Sequence, residues 1–466
     1  MSWERCGSFV RAMKGAHVVL LMLLVAGCSH GAVIKFAPED AASSVAISNP
    51  EKKKGSKVPV AGDVILAGGA SGTKSSPKAE FYTPSTKKWT ATGSLTTDRM
   101  VGCGVILGDG TFVDAGGASV SSKTKNELVL TITPHSSVDE YNLSNGTFSS
   151  AGSMTTPRAG CTATLLNDGT VLIAGGLDSS GSPLNTAEIY DPTGPTFTAT
   201  TGNMSSPRAF HTATLLTTGP LTGDVLVAGG LANDTSGSSS LGDTLDTADI
   251  YDPSSKTFTP TLNTMTDFRA FHTATLLSDG TVLLAGGDNQ GNGGPVFSAT
   301  QTAELFDPAT DEFSAVGLLG EPLIMHSATL LPDGTVLIAG GFDMEQAVFS
   351  DSGALTAFFG TTAQGAEIYT PSSKTFACIG GTITVKSTQQ TVCATKMKSA
   401  HAGHAAVLLD GTVLIAGGFG GSKDTTDIKG TNKVAEIYDP THQTFTKVGS
   451  MATGLAFGVA VEVGSN

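Results

Sequence analysis

The sequence is short of charge. Only 15% of its residues are Asp, Glu, Lys or Arg, and the balance is acidic, with a formal net charge of -14. A chain this poor in basic side chains cannot grip a phosphate backbone, which excludes nucleic acid as a partner. Compact catalytic motifs are also missing: no GxSxG elbow, no HExxH, no Walker-type phosphate loop and no DxDxDG calcium loop occurs. The apolar run near the N-terminus, Val18 to Val25, is too short to cross a bilayer as a permanent helix. No metal or cofactor is indicated.

What is abundant is glycine, at 58 of 466 residues, beside 20 prolines and 39% apolar residues. That is a turn-dense chain with a real core, and the expected fold class is all-β. The organising stretch runs from Arg269 to Gly287, RAFHTATLLSDGTVLLAGG. Two apolar runs flank an Asp279-Gly280 turn signal, so it folds most simply as a tight antiparallel hairpin. Its strands show little alternation, the composition of strands covered on both faces. Further on, Thr302 to Phe313 (TAELFDPATDEF) forms a second hairpin, and the two make one four-stranded sheet.

This unit recurs. Double glycines close an apolar strand at Gly68-Gly69, Gly116-Gly117, Gly175-Gly176, Gly229-Gly230, Gly286-Gly287, Gly340-Gly341 and Gly417-Gly418. Each is followed by an acid and an aromatic: Glu80 and Tyr82, Glu140 and Tyr141, Glu188 and Tyr190, Asp249 and Tyr251, Glu304 and Phe306, Glu367 and Tyr369, Glu436 and Tyr438. A further aromatic opens the last strand: Trp89, Phe148, Phe197, Phe258, Phe313, Phe376 and Phe445. A period of roughly 50 residues marks a radial array, because one sheet cannot bury both faces alone. The pattern resembles the kelch repeat, and the array from Val58 onward resembles the kelch-type β-propeller also seen in the central domain of galactose oxidase. The resemblance implies a seven-bladed frame and leaves the ligand open. A copper radical oxidase needs tyrosine ligands, yet all six tyrosines sit in the third-strand slot, so that activity does not come with the frame.

The two ends explain how the ring closes. The chain enters the first unit on a second strand, at Asp63 to Ala67, and ends on a first strand, FGVAVEV from Phe457 to Val463. The C-terminal strand is therefore expected to insert as the innermost strand of the sheet begun at Asp63, removing the open edges. The Asp-Gly and Asp-Pro turns share one face. The long connections, 118–137, 231–246, 288–301, 342–365 and 419–433, share the other, and long unlike loops on a rigid frame are where binding concentrates.

Ahead of the propeller, Arg5, Arg11 and Lys14 precede the apolar run, and Val25-Ala26-Gly27-Cys28 resembles the lipobox of bacterial lipoproteins. The resemblance implies a signal peptide over 1–27, lipid on Cys28, and an exported protein anchored in the cell envelope, on the outer membrane where there are two. Residues 28–57 read as a flexible tether. Met13 is an alternative start to Met1.

Four residues share the slot where the chain enters the innermost strand: Arg99, Arg158, Arg208 and Arg269. In kelch domains that bind peptides, arginines at this slot help form the pocket, so they are the candidate ligand contacts at the channel mouth; the alternative is that each pairs with a repeat carboxylate. Because Leu323 and Ala400 fill the slot in other units, the acids need backbone N–H partners as well. His211, His272 and His326 share one slot, with His401 and His404 near it, and read as structural, since ligands spaced a blade apart cannot converge on one ion. Cys378 and Cys393 bracket a fifteen-residue excursion and read as a disulfide, whereas Cys103 and Cys161, one position out of register, read as buried free thiols. The expected function is a tethered, monomeric binding propeller for a glycan or envelope protein. The alternative is a carbohydrate-active enzyme resembling the kelch-fold sialic acid epimerases, in which a mouth arginine would meet Asp288, Asp343 or Glu345.

Overall fold

The second strands set the architecture. Val64–Ala67, Phe112–Ala115, Val171–Ala174, Val225–Ala228, Val282–Ala285 and Val336–Ala339 are buried along their whole length. A strand buried on both faces needs a sheet stacked on each side, and a ring of sheets supplies both neighbours at once. The computed structural model describes residues 58–71, 74–124, 128–232, 243–289, 299–349, 355–385, 390–420 and 431–462. The expected signal peptide, Cys28 and the expected tether lie outside the described residues.

Seven four-stranded antiparallel sheets form the blades. The first strands of blades 2 to 7 are Cys103–Ile106, Thr162–Leu165, Thr212–Leu215, Thr273–Leu276, Ser327–Leu330 and Ala405–Leu409. Together with Val459–Glu462 they touch one another in a closed cycle around the axis. Val459–Glu462 pairs with Val64–Ala67, Val64 opposite Glu462 and Ala67 opposite Val459. Blade 1 is thus stitched from both ends of the ring, as the strand count predicts.

Each seam between blades holds one apolar cluster. At the seam of blades 3 and 4, for example, Leu172, Ala174 and Ile189 meet Val225, Val227 and Tyr251. A fully buried Leu, Ile or Val contributes about 1.5–3 kcal/mol, so the seams supply most of the cohesion. The motif aromatics meet as cross-strand pairs between third and fourth strands: Tyr190 stacks on Phe197 at 4.8 Å, and Tyr438 packs tilted against Phe445 at 4.9 Å. The double glycine has its own reason. At Gly175 a Cβ would overlap the imidazole of His211 and the carbonyl of Arg208, and both Gly175 and Gly176 have positive φ, 61° and 90°.

The axis is closed on the long-loop face. Val101, Gly160, Phe210, Phe271, Met325, Gly403 and Phe457, one per blade, all adopt left-handed backbone, with φ between 52° and 64°. Each N–H donates to the carbonyl of the equivalent residue one blade back, from Gly160 to Val101 at 3.0 Å round to Val101 to Phe457 at 3.3 Å. The result is one closed circle of seven backbone hydrogen bonds. Left-handed φ costs a side-chain-bearing residue about 1–2 kcal/mol, and the circle offsets that cost while giving these buried amides partners. Gly160 and Gly403 carry no side chain because the rings of Phe210 and Phe457 lie across them. These residues join Leu177, Leu231, Phe342 and Phe419 in an axial apolar cluster.

Candidate functional site

The four slot arginines are buried, at 0–1% exposure, and each is spent inside its own blade. Arg208 donates to the carbonyls of Gly229 and Thr247, and to Asp249 at 2.7 Å. Arg158 pairs with Glu188 at 3.3 Å, Arg269 with Glu304 at 2.8 Å, and Arg99 with Asp139 at 3.2 Å. The expectation that they present a ligand pocket is corrected: the axial cluster fills the mouth, and the guanidinium groups tie the incoming connection to the third strand. The acid of blade 2 is Asp139 and not Glu140, which instead accepts from the hydroxyl of Tyr190.

The acids also take backbone donors, as expected. Glu188 accepts from the amides of Thr155 and Thr156, Glu436 from Lys398 and Ser399, and Glu80 from Ala452 and Thr453. In blade 7 the slot belongs to His401 rather than Ala400, because the Leu409-to-Thr412 hairpin is one residue tighter than those of blades 2, 3, 5 and 6. His401 reproduces two of the arginine contacts, with Nδ1 on the carbonyl of Gly417 at 2.7 Å and Nε2 on Glu436 at 3.3 Å.

The histidine slot is structural. Nε2 of His211, His272, His326 and His404 meets the hydroxyl of Thr162, Thr212, Thr273 and Ser327 of the preceding blade, at 2.8–3.0 Å. Burial pushes these imidazoles below their ordinary range, to about 4 for His326, so they are neutral at pH 7. This offset pairing corrects the reading of Cys103 and Cys161 as free thiols. Cys103 holds the threonine slot and Cys161 the histidine slot of the next blade, so the two form a disulfide, Cα to Cα 5.7 Å, where other seams have a hydrogen bond. The seams on either side of blade 1 have neither link, pairing Ala405 with Gly458 and Val459 with Gly102 in those slots. Cys378 and Cys393 also form a disulfide. Glu367 lies close enough to share an ion with both sulfurs, but the disulfide consumes them.

Blade 2 buries a second carboxyl. Asp114 stands where other second strands carry Leu, Ile or Val, opposite Asp139 in the ladder and over Gly102, and it is 1% exposed. Burial raises its pKa from 3.8 to about 7; Arg99 opposes the shift and Asp139 adds to it. The native state therefore holds this proton to higher pH than the unfolded chain, and stability falls as pH rises from about 4 to 7. Asp114→Asn removes that loss, roughly 4 kcal/mol at most. In urea melts, the difference between variant and wild type should move in the variant's favour from pH 4 to 7 and then level off; a pH-independent difference would refute the assignment.

Among the described residues of the long-loop face, a polar cluster that solvent reaches lies between blades 1 and 2. Ser75, Asp98, Ser119 and His135 are each partly exposed. The hairpin Ala118–Thr124 with Leu128–Pro134 places Ser119 opposite Thr133, and the amide of His135 bonds the carbonyl of Gly117 at 2.8 Å. Two residues beyond Thr133, His135 falls on the same hairpin face as Ser119. Its Nε2 lies 2.5 Å from Ser119 Oγ. Ser119 Oγ also reaches the carbonyl of Asp98 at 3.1 Å, and Ser75 donates to the Asp98 carboxylate while accepting from the amide of Val120. Burial and the Arg99 charge lower the His135 pKa; Asp98 and Asp139 act against them. Sequence reasoning named this loop but not these residues, since no motif spaces them. Asp288 is buried at the axial ring, and the side chains of Asp343 and Glu345 lie outside the described part.

These features define a seven-bladed β-propeller. The kelch motif matches residues 157–200 and 400–452, in blades 3 and 7. No curated protein matches the chain. Among solved structures, one titled "Structure of YjhT" is similar at 12% identity and a TM-score of 0.49, covering 76% of this chain and 98% of that one.

Proposed function

We propose that the chain is an envelope-tethered binding propeller that takes a glycan or protein ligand on its long-loop face. The observation that carries this reading is the Ser75, Asp98, Ser119 and His135 cluster. A fixed carboxylate, two hydroxyls and an imidazole at a partly open surface match a polyhydroxyl ligand, while the buried arginines offer it nothing. Two disulfides support an oxidising, exported location, and the lipobox-like segment supplies the anchor at Cys28.

The test is a glycan and envelope-protein binding screen with residues 58–466, which contain every strand of the ring. Asp98→Asn is expected to weaken binding about tenfold or more, since a lost charge-assisted hydrogen bond is worth about 1.5–3 kcal/mol, and His135→Ala by roughly 2- to 10-fold, since a neutral one is worth about 0.5–1.5 kcal/mol. Binding unchanged in both variants would move the ligand site elsewhere. Cys28→Ser should release the protein from membranes.

A further inference from the structure

The contact between Ser119 and His135 has a use beyond holding a ligand. We propose that Ser119 is a nucleophile with His135 as its general base, so that the long-loop face hydrolyses a carboxylic ester borne by the ligand it binds. The proposal rests on that face being the ligand site.

The geometry satisfies the first requirement of serine acyl transfer, a base within hydrogen-bond reach of the hydroxyl, at 2.5 Å between Oγ and Nε2. Asp98, from the connection between blades, acts on the base: its backbone and its charge both favour a protonated His135. With its pKa below the usual histidine range, His135 is an unprotonated base at pH 7. In the structural seams, by contrast, each histidine pairs across two blades; here serine and histidine sit on one hairpin, both partly exposed.

The step balances with water as the only co-reactant. Ser119 Oγ–H gives its proton to His135 Nε2 as Oγ bonds the ester carbon. The carbon–alkoxy bond breaks, and the leaving alcohol takes that proton. Water then gives a proton to Nε2 and its oxygen to the acyl carbon. The Oγ–carbon bond breaks, and Ser119 recovers its proton as the acid departs.

The full-length chain in detergent should be treated with a fluorophosphonate probe at pH 7.5 and the modified residue located by peptide mass spectrometry. Expected is modification of Ser119, absent in Ser119→Ala, and slower by roughly 100-fold or more in His135→Gln. Ser119→Ala removes a single oxygen, and an unchanged melting curve establishes that it folds. No modification of Ser119 in the wild type, or an equal rate in His135→Gln, overturns the proposal. Ligand binding is read separately. Modification of Ser119 without any glycan or protein bound to the face would sink the binding reading alone; binding without modification would sink only the nucleophile.

Discussion

A chain ending at Ala456 should lose its cooperative unfolding transition. The truncation removes Val459–Glu462, the partner of Val64–Ala67, and leaves a wholly apolar strand with an open edge. It also removes Phe457, which donates to the carbonyl of Gly403 at 2.9 Å and accepts from the amide of Val101, so the axial circle opens at two of its bonds. Nothing nearby compensates. The seams flanking blade 1 have neither the histidine bond nor the disulfide found at the other five, and Gly104 of blade 2 rests directly on Val459. Expected results are loss of the sharp thermal transition and a larger hydrodynamic radius by size-exclusion chromatography. A truncated chain that melts like the full-length protein would refute closure through this strand.

The second large effect concerns the buried ion pairs, and its sign pattern is unusual. Asp249→Ala should cost about 3–5 kcal/mol, because it strands the Arg208 guanidinium, 0% exposed, without a counter-charge. It also orphans the amide and hydroxyl of Ser205. Arg208→Leu should cost clearly less. Blades 1 and 6 already have Leu455 and Leu323 at this slot, and their acids, Glu80 and Glu367, are held by backbone amides. The acid without the arginine is an arrangement this fold uses; the arginine without the acid is not. Urea unfolding of the two variants, with equal losses or the reverse order, would show that the amides are not the acids' primary partners.

Residues repeated in every blade were readable before any coordinates. The double glycines and the acid just ahead of an aromatic each report a local need met seven times, and the strand missing at one end and present at the other reports the closure of the ring. Blade 2 shows where such reading slips. Val-Asp-Glu-Tyr offers two acids, and only the ladder, which sets Asp139 opposite Asp114, decides which one faces Arg99. In blade 7 a tighter turn displaces the slot by one, and counting from the turn lands on Ala400 instead of His401.

The sequence by itself determined the number of blades, their strand order, the closing strand and which loops lie on which face, because periodicity and turn chemistry act within about twenty residues. Only the tertiary structure decided what meets across a seam. Neighbouring blades pair with a one-residue offset that no single sheet contains, so Cys103 with Cys161, Thr162 with His211, and the burial of every slot arginine became visible only when the sheets were stacked. The same holds for Ser119 and His135, joined by a hairpin register and by Asp98 from a different connection.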